Sequence, residues 1–493
     1  MTDNTMPIAL PKDKARSLNK LTLIWILTML VLFLVLTMLG LLLRGGQSNL
    51  ISDGTFTAER FYSVMTLHGT GMVGLWYAAG MAGVSYFLAR YVKLSVAVNG
   101  LAFIGTVLGV VLLLASTLIG QFGAGWYFLY PLPMISMDAW PPWATITFFL
   151  ALAVLGVTWT IWSIDLLRAM ATRYSFREVM CWHYLRGKST PEVPPIVLIT
   201  AVSLIAGLTG LISAVVLLAL FAVELIATGV TNDALLMKNL TFLFGHLLVN
   251  ITLYLGVAVV YELLPEYCGR PWKTNRYIAL AWNAVLILVI FAYFHHLYMD
   301  FVQIRWFQVA GQITSYLSSI PAAVMSIYGT LVIIYRAKLK WTLVPALLFL
   351  GVLGWTIGGI GAVIDSTVAV NLLFHNTLWV PAHFHSYFLM GVVLMIMGSA
   401  YHICYQQVDS PERLGVTKTI ITTLCIGGYG FLLTFYASGA ESIPRRYATY
   451  TSDLAAGTLH AQISVAFIAI FLVGLILYIW ETGRRCVRAV QAT

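Results

Sequence analysis

Charge is what this chain has least of. Of its 493 residues only 10% are Asp, Glu, Lys or Arg and 60% are hydrophobic, whereas soluble domains carry about 25% charged residues. With a mean hydropathy of +0.87, the composition excludes a soluble globular protein, a disordered chain and a binder of nucleic acid. Cysteine is sparse too. Cys181, Cys268, Cys404, Cys425 and Cys486 form no CxxC, CxxxC or CxxCH spacing. That excludes a disulfide scaffold, a thiolate metal site, a dinuclear copper loop and a c-type haem attachment. No Ser/Gly linker, low-complexity tract or internal repeat divides the sequence, so residues 1–493 read as a single polytopic domain.

What is there is apolar length. Runs such as 21–43, 101–120 and 343–364 are each long enough to cross a bilayer as a helix. Twelve segments are predicted, near 21–43, 61–89, 99–120, 142–168, 195–229, 240–264, 277–299, 313–336, 342–364, 373–403, 418–438 and 457–482. The fold class is therefore an all-α integral membrane protein, a twelve-transmembrane-helix bundle in a lipid bilayer. A cleavable signal peptide is not expected, because 21–43 is too long for one and no small-residue cleavage site follows it. If the loops alternate sides, 22 of the 28 Lys and Arg residues fall on the side of the N-terminus. The exceptions are Arg44, Arg60, Lys238, Arg305, Arg445 and Arg446. Both termini are therefore expected to be cytoplasmic, with 1–20 as an N-terminal segment and 483–493 as a C-terminal tail. The net charge of +9 is mostly a signal of topology.

Of the ten histidines, His183, His402 and His460 fall in a polar loop or near segment ends and read as solvated structural residues. The other seven are His68, His246, His295, His296, His375, His383 and His385, all in the outer part of segments 2, 6, 7 and 10. Intramembrane imidazole is costly and faces a partner. A proton relay in a transporter is one explanation; metal binding is the better one, because neutral imidazole is the commonest metal ligand. Residues two apart on a helix point about 200° apart, so His383 and His385 serve two different metals. The adjacent pair His295–His296 diverges by about 100°, which one ion accommodates with His246 as third ligand. The simplest arrangement makes His68 and His385 the axial ligands of one six-coordinate haem. His383 then binds a second haem, facing a metal on His246, His295 and His296. Three imidazoles suit copper or iron, and copper is favoured because iron usually takes a further oxygen ligand.

These residues sit in Leu67-His68-Gly69, Phe244-Gly245-His246, His295-His296-Leu297-Tyr298 and the run from His375 through Pro381-Ala382-His383-Phe384-His385. Ile443-Pro444-Arg445-Arg446-Tyr447 follows between segments 11 and 12. The set resembles subunit I of the haem-copper oxidase superfamily over essentially the whole chain. The resemblance implies the haem and metal ligands just given, the first haem low-spin and the second high-spin, with His375 on the propionate side. It implies Arg445 and Arg446 as the pair that holds the haem propionates, a role suited to bidentate guanidinium. It also implies metal sites towards the outer side of a bacterial-type cytoplasmic membrane. The expected partners are a membrane-anchored second subunit with a cupredoxin or cytochrome c domain, and cytochrome c or a cupredoxin as electron donor.

The sequence departs from an oxygen reductase in segment 6. Many members of the family carry His-Pro-x-x-Tyr there, with the tyrosine joined covalently to the metal histidine. This chain reads His246-Leu247-Leu248-Val249-Asn250, and Asn250, one turn on, is predicted to face the pocket. An amide cannot supply the electron that tyrosine gives to one-step O–O cleavage. Leu248 stands where the oxidase glutamate would, and segment 8 reads Pro321-Ala322-Ala323-Val324-Met325 in place of Pro-Thr-Gly-Ile-Lys. Glu262 and Glu266 are candidate replacements for proton uptake, and Glu224 could serve only from the opposite side. Reducing two NO to N2O and water takes two electrons and two protons and breaks no O–O bond. The expected function is thus the catalytic subunit of a membrane nitric oxide reductase of a non-tyrosine branch. Asn250 would act in it as a weak amide-oxygen ligand or as a donor to bound substrate. The alternative is an oxygen reductase, with or without proton pumping, that draws a phenol from Tyr293, Tyr298 or Tyr254.

Overall fold

The computed structural model describes residues 11–492 except 53, 228 and 409. Among them, twelve helices are long and apolar enough to cross a membrane: α1 (Lys12–Gln47), α2 (Ala58–Leu88), α3 (Val96–Ile119), α4 (Pro142–Ala171), α5 (Pro195–Ile226), α6 (Ala234–Cys268), α7 (Arg276–Leu297), α8 (Arg305–Ile334), α9 (Leu343–Asp365), α10 (Trp379–Tyr405), α11 (Leu414–Ala440) and α12 (Ser452–Ala492). The most apolar stretches of α10, α2 and α6 are 89%, 78% and 72% buried, against 28% for α1 and α8. The three central helices are therefore those that carry His68, His246, His383 and His385.

Two expected boundaries differ. The polar N-terminal segment joins α1 from Lys12, and the expected C-terminal tail is a continuation of α12 to Ala492. Residues 1–10 and 493 lie outside the described residues. The extension of α12 is held by Arg485, which is 0% exposed. It pairs with Glu481 at 2.9 Å and donates to the carbonyls of Ser410 and Pro411. Span ten begins at Trp379, with a separate short helix at Val368–Phe374, so His375 precedes the span. Pro381 falls in the first turn of α10, where its missing N–H costs nothing.

Lipid gives helices no hydrophobic reason to associate, so close packing of small residues does that work. On α9, Gly351, Gly354, Gly358 and Gly361 form a stripe against α10. A Cβ at Gly358 would lie 2.5 Å from the Cα of Tyr387, and one at Gly361 would lie 2.9 Å from Nδ1 of His383. Opposite Gly354 and Gly351, α10 widens into a π turn at Phe388–Val393, and the carbonyls of Met390 and Gly391 press onto the bare glycines. Helix α9 thus fixes the height and rotation of α10, hence of both its histidines. At the other end, Arg90 beyond α2 pairs with Glu262 at 3.1 Å and with Glu266 of α6, and Tyr91 donates to Glu262 at 3.0 Å.

The glycine stripe makes a prediction. Gly354→Ala places a methyl against the Met390 carbonyl, with backbone on both sides, and should cost about 1–3 kcal/mol, the range for overpacking. Gly359→Ala, whose Cβ meets nothing nearer than 4.0 Å, should be near neutral. Thermal unfolding of both variants in detergent checks this; equal midpoints would mean that α9 and α10 are not locked together.

Candidate metal and cofactor centre

One cavity of about 990 Å³ reaches into the bundle from the side opposite the chain ends, and all ten residues singled out in the sequence line it. They are His68, His246, Asn250, His295, His296, His375, His383, His385, Arg445 and Arg446.

His68 and His385 face each other across part of this cavity. Their rings are 6.5 Å apart between centroids and inclined by 18°. Each donates Nδ1–H to a backbone carbonyl, His68 to Leu36 at 2.8 Å and His385 to Pro381 at 2.7 Å. That fixes the tautomer and leaves Nε2 as the ligand atom on both. The gap admits one metal atom at about 2 Å from each nitrogen. His383 turns the other way, towards Gly361 of α9, with Tyr387 one turn on at 5.9 Å between centroids. His385 instead packs against Phe431 and Phe435 of α11.

His246, His295 and His296 offer ligand nitrogens that all lie within 4.8 Å of one another. Nδ1 of His246 is 3.3 Å from Nε2 of His296, the separation of two nitrogens bound tetrahedrally to one metal at about 2 Å. His295 is oriented through its Nδ1, 2.9 Å from the Ser315 hydroxyl of α8. The adjacent pair lies on a 3-10 turn, Tyr293–Leu297, in place of the expected α-helical end. Its tighter winding spreads neighbouring side chains by about 120° and still leaves both rings beside His246. Asn250 is one turn from His246, with Nδ2 2.8 Å from the His246 carbonyl and 3.4 Å from its Nε2. The carbonyl can only accept, so one N–H of the amide is spent there; the second N–H and Oδ1 keep their bonding capacity.

At the cavity mouth, the loop after α11 is stitched to the loop before α10. Leu378 N–H donates to the Ile443 carbonyl, and Arg445 N–H to the Asn376 carbonyl, both at 2.9 Å. Arg446 holds a left-handed backbone at φ 69° and lays its guanidinium 4.3 Å over the Tyr127 ring. Burial lowers both guanidiniums to about 10, and neither makes an ion pair within 4 Å among the described residues. Burial, then Arg445 and Lys238, pushes His375 down to about 4. Two half-buried guanidiniums without an ion pair inside 4 Å, Arg445 with Asp365 in electrostatic reach, and a neutral imidazole form a site for an anion such as a carboxylate.

Other candidates lie elsewhere. Tyr298 donates to the Ser366 carbonyl, Tyr293 to Asn239, and Tyr254 packs on Trp282. None of the three lines the cavity. Glu224 is held by Tyr130 and Asn232, and Glu262 and Glu266 by Arg90. His402, expected to be solvated, is 2% exposed and bonds the Tyr267 hydroxyl at 2.8 Å. Three lining residues escaped the sequence reading: Arg44, Asp365 and Tyr387. Arg44 donates to Gln47 at 2.6 Å and Ser464 at 3.1 Å, and an intramembrane arginine was itself a signal. Tyr387 was findable as the residue one turn after His383.

Comparison with known proteins agrees with this arrangement. Residues 20–472 match the family described as cytochrome c and quinol oxidase polypeptide I. A heme-copper oxidase subunit I+III of Aeropyrum pernix is 28% identical over 457 residues, which are 87% of this chain and 52% of the relative. The chain thus spans about half the length of that longer protein. A cytochrome c oxidase subunit 1 of Thermostichus vulcanus is 24% identical over 466 residues, 88% of this chain and 78% of the relative. Among solved structures, a chain of a heme-copper terminal oxidase dimer superposes with a TM-score of 0.76 at 18% identity, covering 95% of this chain and 84% of that one. The chain belongs to the family of cytochrome c and quinol oxidase polypeptide I, the haem-copper oxidase subunit I.

Proposed function

We propose that the protein is the catalytic subunit of a membrane nitric oxide reductase built on this fold, reducing two NO to N2O and water. The family implies an oxidoreductase with two haems and a copper-type site. In our reading His68 and His385 hold the low-spin haem, His383 the high-spin haem, and His246, His295 and His296 the non-haem metal, with copper favoured over iron. Arg445, Arg446 and His375 receive the haem carboxylates; the two half-buried guanidiniums, with no ion pair inside 4 Å among the described residues, fit that group. When bound, the haems and the metal supply electrons and a binding face for a small gas. The chain's own residues orient the ligand imidazoles through Leu36, Pro381 and Ser315, keep bulk water out of an apolar cavity and neutralise the carboxylates at its mouth. In our reading both termini are cytoplasmic and the metal sites lie towards the outer side of a bacterial-type membrane, as the excess of Lys and Arg on the side of the termini supports. Electrons arrive from cytochrome c or a cupredoxin by way of a separate membrane-anchored subunit.

The observation that carries the choice of NO is Asn250. It occupies the position one turn beyond His246 with an amide that touches that histidine, and Tyr254, Tyr293 and Tyr298 are engaged elsewhere. A second reading, reduction of O2 to water, is favoured by the names of the relatives, several of which are cytochrome c oxidase subunit 1. Those names speak for dioxygen, as does Tyr387, a phenol that lines the cavity beside His383; Asn250, on the His246 side, speaks for NO.

Two predictions follow from the ligand assignment and the substrate. His385→Ala should abolish the low-spin absorbance and stop electron entry, whereas His383→Ala should remove the CO-binding haem and spare the low-spin one. Identical haem loss from both folded variants would contradict the assignment. Asn250→Leu should keep the three-histidine metal and slow NO turnover about tenfold, the scale of one lost hydrogen bond. Asn250→Tyr should raise the ratio of O2 to NO turnover. Anaerobic NO consumption compared with aerobic O2 consumption in one preparation decides between the readings. Rapid O2 reduction with negligible NO turnover by the unmodified protein would replace NO with O2 as the substrate.

A further inference from the structure

Beneath His383 the bundle contains a succession of phenol and indole rings. Tyr387 lies 5.9 Å from His383 between ring centroids and lines the cavity. Tyr254 of α6 follows within electrostatic range of it, beyond direct ring contact. Tyr254 is 5.3 Å from Trp282, Trp282 is 6.5 Å from Tyr261, and Tyr261 stacks on Trp272 at 3.8 Å. Trp272 is half-buried in the loop after α6, on the side of the chain ends. All five positions are Tyr or Trp, although the chain has 25 Phe, which would fill the same space without a polar atom to satisfy. Trp282 shows the cost. It is 0% exposed, and its N–H makes no full hydrogen bond among the described residues, with the Tyr261 hydroxyl as the neighbour in reach.

We propose that Tyr387, Tyr254, Trp282, Tyr261 and Trp272 form a route by which oxidising equivalents leave the His383 side of the cavity for the protein surface. Their shared property is one-electron oxidisability, which Phe lacks, and from Tyr254 outward the ring-to-ring steps are 5.3, 6.5 and 3.8 Å between centroids. The proposal rests on the reading that a redox metal binds His383. Hydrogen peroxide is the oxidant: it takes two electrons from the bound site and two protons from solvent, its O–O bond breaks, and two waters form. Tyr387 returns one electron and releases its hydroxyl proton to water in the cavity. Each vacancy then passes outward as the next ring gives up an electron, and Tyr261 can release its proton to the Ser326 hydroxyl at 3.3 Å. At Trp272 external thiol supplies the last electron; two thiols fill two vacancies and end as one disulfide. The activity is a protective one, separate from reduction of the gas.

The test treats haem-loaded protein with hydrogen peroxide and compares it with Tyr254→Phe and Trp282→Phe, which keep a ring at the break. Peptide mass spectrometry should find oxygen added to Trp272 in the unmodified protein. In both variants that product should fall several-fold, oxidation should shift to Tyr387, and haem absorbance should bleach several-fold faster. Freeze-quenched paramagnetic resonance should show an organic radical that changes character on crossing the break. Trp272 oxidation unchanged in both variants, or no oxidised ring along the route while the haem bleaches, would overturn the proposal. A preparation that binds no haem would overturn the ligand reading itself, a result told apart by its absorbance spectrum before peroxide is added.

Discussion

A ligand histidine is best placed when its second nitrogen is already fixed, and this molecule does that for His68, His385 and His295. Nδ1 of His383, by contrast, makes no full hydrogen bond among the described residues, with the Gly358 backbone the neighbour in reach. An imidazole inside a membrane has no water to satisfy it, so each ring needs a protein acceptor or donor at a defined angle. His68 finds one on α1, at the Leu36 carbonyl. His385 finds one within its own helix, at Pro381. His295 finds one on α8, at Ser315. A carbonyl that accepts from a side chain is one whose helical partner is missing or shared, and Pro381 lies at the start of α10, where helix geometry is still being set. Span boundaries and ligand orientation are therefore one problem.

The glycine stripe on α9 extends the argument from rings to helices. Two histidines separated by one residue point to opposite sides of α10, so rotating that helix helps one metal at the expense of the other. The bare face at Gly354, Gly358 and Gly361 removes this freedom by letting backbone meet backbone, and the π turn at Phe388–Val393 adapts the helix below the ligands. Packing density thereby sets a rotation angle. The ion pairs of Arg90 with Glu262 and Glu266 act at the opposite end of α2 and α6, the helices that hold His68 and His246.

Much of this was legible in the sequence, for physical reasons that differ by feature. Apolar length reports the twelve spans, because the bilayer imposes it. Seven histidines at one depth reported the centre, because imidazole in lipid is too costly to be incidental. The sequence did not reveal the 3-10 turn under His295 and His296, since either winding leaves two adjacent rings near a third. It also did not reveal that the Asn250 amide spends one N–H on the His246 carbonyl, because a rotamer choice within one helical turn leaves no mark on the sequence pattern. Asp365 was missed because it belongs to no periodic pattern and matters only through what lies across the cavity, and Tyr387 because the one-turn relation applied to His246 was not applied to His383.

The cavity mouth shows how far fold and cofactor are one system. Arg445 and Arg446 are half-buried, among the described residues neither finds a salt bridge inside 4 Å, and the Nε of Arg445, with Asp365 in electrostatic reach, makes no hydrogen bond. A partly desolvated charge without a close partner carries a cost in a fold whose net stability is small. An anionic group bound there removes that cost only in the folded state, so its binding free energy becomes folding free energy. The stitching of the two mouth loops, Leu378 to Ile443 and Arg445 to Asn376, holds the guanidiniums in place before anything binds. The strain of Arg446 at positive φ belongs to the same economy: a non-glycine residue in that conformation persists where the surroundings over-determine it. Here the Tyr62 hydroxyl fixes its carbonyl at 3.1 Å and Tyr127 receives its side chain. The protein thus holds its cations ready at a fixed site, and the carboxylates they face complete the fold as much as the chemistry.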